Sequence, residues 1–115
     1  MFDHPLEERA FQFAKKVRAF TRIVKRDVEN IEDIKQLVRA SGSVGANYIE
    51  ANESLGQADL KMRIRISRKE AKECIHFLGL IEIFGVNELE NERQYLINEA
   101  DQLKKIFSKM LSNLK

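Results

Sequence analysis

Apolar residues recur every three or four positions through four long blocks of this 115-residue chain, and almost nothing interrupts them. One proline and five glycines leave little material for turns, so long helices joined by short links are what the pattern permits. The first block places Leu6, Ala10, Phe13, Ala14, Val17, Phe20 and Val24 on one helical face. Pro5 suits a first turn, where a missing N–H costs nothing, and Asp3 stands where a cap would, so a helix is expected over about residues 5–26. A link near DVEN precedes a second helix over 31–54, with Glu32 and Asp33 at the positive end of its dipole. Gly56 reads as the left-handed residue that ends it. A third helix over 58–84 carries the row Leu60, Ile64, Ala71, Cys74, Leu78 and Ile81, and Gly85 and Asn87 supply its cap and the next turn. A fourth over 89–112 turns Tyr95, Leu96, Leu103, Ile106 and Phe107 inward. Links this short predict a single all-α domain over residues 1–115, an antiparallel up-down-up-down four-helix bundle.

Inside the second helix, the stretch RASGSVGANYIEA holds two glycines. Each costs a helix interior about 1 kcal/mol relative to alanine. Gly42, Gly45 and Ala46 together make a face of small residues on which a neighbouring backbone can come close, and the dispersion attraction of that close approach offsets the loss. The alternative is a loop or kink, but that would cut the helix into pieces too short to match its neighbours. Polar residues share the region: Arg39, Ser43, Asn47 and Glu50 on the second helix, Glu70 and Glu73 on the third. Any of these that is buried needs a partner, for which Arg39, Arg63 and Arg68 are available, and this predicts a structural polar network fixing helix register.

Charge is balanced overall, at +2, yet unevenly placed. Residues 58–72 hold six basic side chains against two acidic ones, whereas residues 73–101 hold seven acidic against Arg93 alone. At about 100° per residue, Lys61, Arg65, Arg68 and Lys72 form a stripe with Lys69 at its edge. Lys15, Arg18 and Arg22 add basic character to the first helix. Two readings stand: a surface that binds phosphate backbones, or a solvated face of ordinary surface ion pairs. Nothing resembles a base-reading, zinc-finger or phosphate-loop motif, so any nucleic-acid binding would be backbone-driven and salt-sensitive.

Other chemistry is weakly supported. Glu73 and His76 make an E-x-x-H, but no second copy exists and the other histidine is His4, so no metal site is expected. Cys74 cannot form an internal disulfide and sits in an apolar row, where a small buried hydrophobe is expected. Ser43 has no sequence-evident base, and no catalytic residue or cofactor is expected. The longest apolar run, FLGLI, is far too short for a membrane span, and no secretory pattern is present, which together predict a cytoplasmic protein.

SGSVGANYIEANES followed by DLKMRIRISRKEAKECIHFL resembles the bacterial family of proteins encoded in intervening sequences of 23S ribosomal RNA genes. Arg39, Ser43, Asn47 and Glu50, then Lys69, Glu70, Ala71 and Glu73, carry the likeness. The chain departs from many members in having Ala51 where they have glycine, and His76 and Phe77 where they have an aromatic pair. The resemblance implies a four-helix bundle assembling into a ring-like homopentamer, with RNA or DNA as a partner. A related group, similar in fold, serves as accessory proteins to reverse transcriptases of diversity-generating retroelements. The competing expectation is a scaffold that binds another protein.

Overall fold

The computed structural model describes residues 1–114; Lys115, the last residue of the expected domain, lies outside the described residues. Four helices and no strand are found among the described residues: α1 (Pro5–Ile23), α2 (Val28–Asn52), α3 (Gln57–Leu80) and α4 (Asn87–Asn113). None is long and apolar enough to cross a membrane. They pack in cyclic order into a body of 46 × 25 × 20 Å. α1 touches α2 and α4, and α3 touches the same two from the opposite corner; the α2–α3 seam is the most extensive and the α1–α4 seam the slightest.

The helix ends differ from the expectation in ways that have local causes. Pro5 does open α1, but His4 rather than Asp3 occupies the cap position, with no side-chain hydrogen bond. α1 stops at Ile23, because Val24 turns to extended backbone and tucks into the core. DVEN is no link: Asp27 caps α2, its side chain accepting from the Asn30 N–H at 2.9 Å, and the helix begins at Val28. Gly56 is extended, not left-handed, and precedes α3 as its cap residue. α3 ends at Leu80, four residues before the expected end, since Ile81 and Ile83 are buried from the connecting chain. The left-handed residues are Phe84 (φ 54°) and Gly85 (φ 73°), which reverse the chain beyond the helix end.

One side chain ties the two upper links together. Asn30 is almost fully buried and donates its amide to the carbonyls of Lys25 and Glu82, both at 2.8 Å, while accepting from the Glu82 N–H at 2.9 Å. Three of the four bonds an amide can make are therefore satisfied where water is excluded. Arg93 adds a second clamp, donating to the Ile81 carbonyl at 2.7 Å and so fixing α4 against the end of α3.

The core itself follows the apolar rows. Phe13, Val17 and Phe20 of α1 meet Leu37, Ala40 and Val44 of α2, Ile64, Ala71, Cys74 and Leu78 of α3, and Leu96, Leu103 and Phe107 of α4, all nearly or fully buried. Tyr48 packs obliquely on Phe107 at 5.8 Å between ring centres. Tyr95, expected inward, is instead half exposed and accepts a hydrogen bond from Lys16 at 2.8 Å.

Candidate nucleic-acid interface

α2 presents different residues to its two neighbours. Towards α3, Arg39 donates from Nη1 to Glu70 Oε2 at 3.0 Å and from Nη2 to Glu73 Oε2 at 2.9 Å. Two turns further on, Asn47 donates to the Ser43 carbonyl and hydroxyl at 3.0 and 2.9 Å, and its own side-chain carbonyl accepts from Arg63 at 3.1 Å. Beneath them Ser67, fully buried, donates to the Val44 carbonyl at 2.9 Å. The structure thus brings Arg39, Ser43, Asn47, Glu70 and Glu73 together and adds Arg63 and Ser67; Glu50, expected among them, is exposed and joins none of these bonds. Arg63 is one of the three arginines expected as partners, whereas Arg68 is not engaged here; Ser67 is the unexpected member, although it sits at helical spacing from Glu70 on the same flank.

Glu70 is the buried member. Burial alone would raise its carboxyl, but the hydrogen bond and charge of Arg39, with the Ser43 hydroxyl, outweigh that and hold it below its ordinary value. The Arg39 guanidinium is raised in turn, chiefly by its bond to Glu70. Both glutamates of α3 are therefore occupied on the α2 side.

Towards α1, the same helix is built from small residues. A Cβ on Gly45 would lie 3.4 Å from the Ala10 Cβ, so the α1 and α2 backbones come close there. Gly42 is different: the nearest atom to a Cβ placed on it is Nη2 of Arg18 at 3.6 Å. Gly42, Gly45 and Ala46 line a groove of about 400 Å³ with Ala10, Phe11, Ala14 and Ile49, and Lys15 and Arg18 stand on its wall. The two glycines thus serve a close crossing at Gly45 and an open surface groove at Gly42.

The basic stripe lies elsewhere. Because Arg63, Glu70 and Glu73 reach α2, helical spacing puts Lys61, Arg65, Arg68 and Lys72 on the flank that turns towards α4, with Lys69 facing outward. Arg65, Arg68, Lys69 and Lys72 form no ion pair with any described residue. Antiparallel pairing, anchored where Arg93 meets Ile81, brings Lys104 and Lys105 of α4 level with the middle of this stripe; those two share Asp101 at 3.3 and 2.9 Å. Lys15, Arg18 and Arg22, by contrast, belong to the diagonally opposed α1 and do not extend the α3 surface within one chain. The helix beside this stripe is α4 and not α1, a consequence of the up-down-up-down order that composition by segment does not reveal.

Neither nucleophile nor metal chemistry is assembled nearby. Burial pushes the Cys74 thiol well above its ordinary value, leaving a small buried hydrophobe. Glu73 is engaged by Arg39, His76 is exposed beside Phe77, and no group of three His, Cys, Asp or Glu side chains among the described residues is placed to hold a metal ion.

An antiparallel four-helix bundle, its central seam joined by an Arg–Glu–Glu cluster and its adjoining flank rich in basic residues, defines the class. A crystal structure of a protein of unknown function from the S23 ribosomal protein family of Bacteroides thetaiotaomicron VPI-5482 has this fold: TM-score 0.77 over 91% of this chain and 96% of that one, at 22% identity. Residues 3–109 match the 23S rRNA-intervening sequence proteins, and the chain belongs to that family. It is also similar to centromere protein S of Bos taurus, 35% identical over 79 residues, and of Mus musculus, 33% identical over 82. Those stretches take in 69% and 70% of this chain but only 56% and 58% of the relatives' length.

Proposed function

We propose that this chain is a non-enzymatic bundle that self-assembles, as a ring of five, and binds the phosphate backbone of RNA or DNA through the α3–α4 basic flank. One observation carries the proposal. Glu73 stands one turn from Lys69, where it could neutralise it, and Glu70 lies beside Lys69, but Arg39 takes both carboxylates. Arg65, Arg68, Lys69 and Lys72 are left without an ion pair among the described residues. Repetition around a ring would turn a modest charge per chain into a strong local field. The name of the family, tied to an intervening sequence of ribosomal RNA, agrees with RNA as the first ligand to try.

A second reading is favoured by the opposite kind of surface. Ile23, Val28, Leu80, Phe84 and Val86 are all exposed at the end of the bundle where the α1–α2 and α3–α4 links meet. Such an apolar end suits an accessory subunit that docks on a protein, for example a reverse transcriptase.

Light scattering coupled to gel filtration, with and without a structured RNA at low and moderate salt, separates the two. The nucleic-acid reading expects an oligomer that shifts on adding RNA, with the shift fading as salt rises. The double reversal Arg65→Glu, Arg68→Glu should abolish the shift and leave the oligomer intact. An oligomer indifferent to RNA at low salt would leave the protein-docking reading in its place.

A further inference from the structure

The basic flank of α3 does not end at Lys72. It runs on into a shallow groove of about 480 Å³ between α2 and α3, lined by Gln36 and Arg39 from α2 and by Lys69, Lys72, Glu73, His76 and Phe77 from α3, with the Glu73 carboxylate held by Arg39. Lys69 and Lys72 belong to both surfaces. Whatever lies along the stripe therefore has a continuous cationic path into the groove.

The groove differs from the stripe in carrying flat groups. Arg39 spends its N–H edges on Glu70 and Glu73, at 2.9 to 3.5 Å, and these bonds fix the plane of a guanidinium whose side chain is still 52% exposed. With its edges taken, what it offers a ligand is its face. Phe77 and His76 stand on the α3 wall, their rings edge to face at 5.1 Å, with His76 exposed. Two aromatic rings, one pinned guanidinium and two lysines without ion pairs are the groups that unpaired nucleotides use: bases stack on aromatic and guanidinium planes while phosphates meet the cations. A duplex, whose bases are already stacked inside, could use the lysines but not the flat groups. Stacking on flat groups uses the face that every base has, so binding there would tolerate any sequence.

We infer that the α2–α3 groove is a binding site for single-stranded nucleic acid, holding an unpaired base against Arg39, His76 and Phe77 with its flanking phosphates on Lys69 and Lys72. This rests on the backbone-binding role proposed above and assigns it a preference for strands, loops or ends over continuous duplex.

Fluorescence anisotropy with the full chain tests it, using labelled polyuridine, labelled polydeoxythymidine and the polyadenosine–polyuridine duplex at low salt. The expected result is tighter binding of one or both single strands than of the duplex, and which strand binds identifies RNA or DNA as the source. Phe77→Leu keeps an apolar side chain at the partly buried position, and His76→Ala alters an exposed one. Together they should weaken single-strand binding by at least about fivefold, the loss expected for one stacked base, and leave duplex binding unchanged. Should Phe77→Leu disturb the helical melt, His76→Ala with Lys69→Gln serves as the alternative pair, with the same expected loss on the single strand. Equal affinity for strand and duplex, or single-strand binding unmoved by both pairs, overturns the site while leaving the Arg65 and Arg68 test free to support backbone binding. If the wild-type chain binds no nucleic acid at low salt, both inferences fall.

Discussion

The two seams that α2 makes are built on opposite plans, although the residues responsible alternate within eight positions. Against α3 it sets Arg39, Ser43 and Asn47, which meet Glu70, Glu73 and Arg63 in directed hydrogen bonds. Against α1 it sets Gly45, which offers no direction, only proximity, and Gly42, which opens onto the groove. The polar seam fixes register: a slide of α3 by one turn would strand the Glu70 carboxylate, buried, without its cation. The small-residue seam fixes distance at Gly45 and leaves a groove beside it. A helix that must both hold its place and leave a surface open can assign one task to each flank.

Breaking the polar seam should have the largest effect on stability. Arg39→Ala removes the cation from a carboxylate that is only 5% exposed, which strands a buried acceptor and should cost about 1–3 kcal/mol. Denaturant unfolding would measure it. A companion variant, Glu70→Gln, keeps the shape and a hydrogen-bonding group, and should cost less; a loss equal to that of Arg39→Ala would mean that the charge, not the unmet bond, carries the seam.

Acidification probes the same contact more gently. The folded-state value of Glu70 lies below the ordinary 4.5, so its contribution is fully present above that value and is lost as pH falls through the lower, folded one. Stability should therefore drop as the solution is taken below about pH 4.5, and the drop should be shallower in Glu70→Gln. Thermal melts of the two proteins across that range would show it. Identical acid profiles would place the sensitivity in other carboxylates, such as Glu90 beside Arg93 or Asp101 beside Lys104 and Lys105, whose values are also lowered by their partners.

Much of this contrast is legible in the sequence, and the part that is not has a physical reason. Helix number, order and core rows follow from apolar spacing, because a 3.6-residue period has one structural meaning over twenty residues. Arg39, Ser43, Asn47, Glu70 and Glu73 stand out because polar groups at helical spacing on two adjacent helices need partners. The helix ends are less legible. Val24, Ile81 and Ile83 are buried from non-helical chain, and Val24 and Ile81 continue a helical row only by coincidence of spacing. Asn30 looks like a helix start, yet its role in joining two links depends on Glu82, fifty-two positions away. Which basic runs share a surface depends on the diagonal of the bundle, which separates α1 from α3 and sets α4 beside it.

The smallest expected effect sharpens the other seam. Gly42→Ala places a methyl group 3.6 Å from the mobile end of Arg18 and nothing else, so it should recover most of the helix propensity lost to glycine, raising stability by about 0.5–1 kcal/mol. Gly45→Ala meets Ala10 at 3.4 Å and approaches its backbone at 3.9 Å, so the same gain is offset by a crossing that must open slightly. Melting both variants beside the wild type orders them, with Gly42→Ala the more stable. The two residues then separate folding from assembly. If copies of the chain meet in the α1–α2 groove, the methyl at Gly42 occupies its floor, and dilution followed by light scattering should show a weaker oligomer in the variant that melts highest. An oligomer as tight as the wild type would free the groove from that role and turn attention to the apolar end around Phe84.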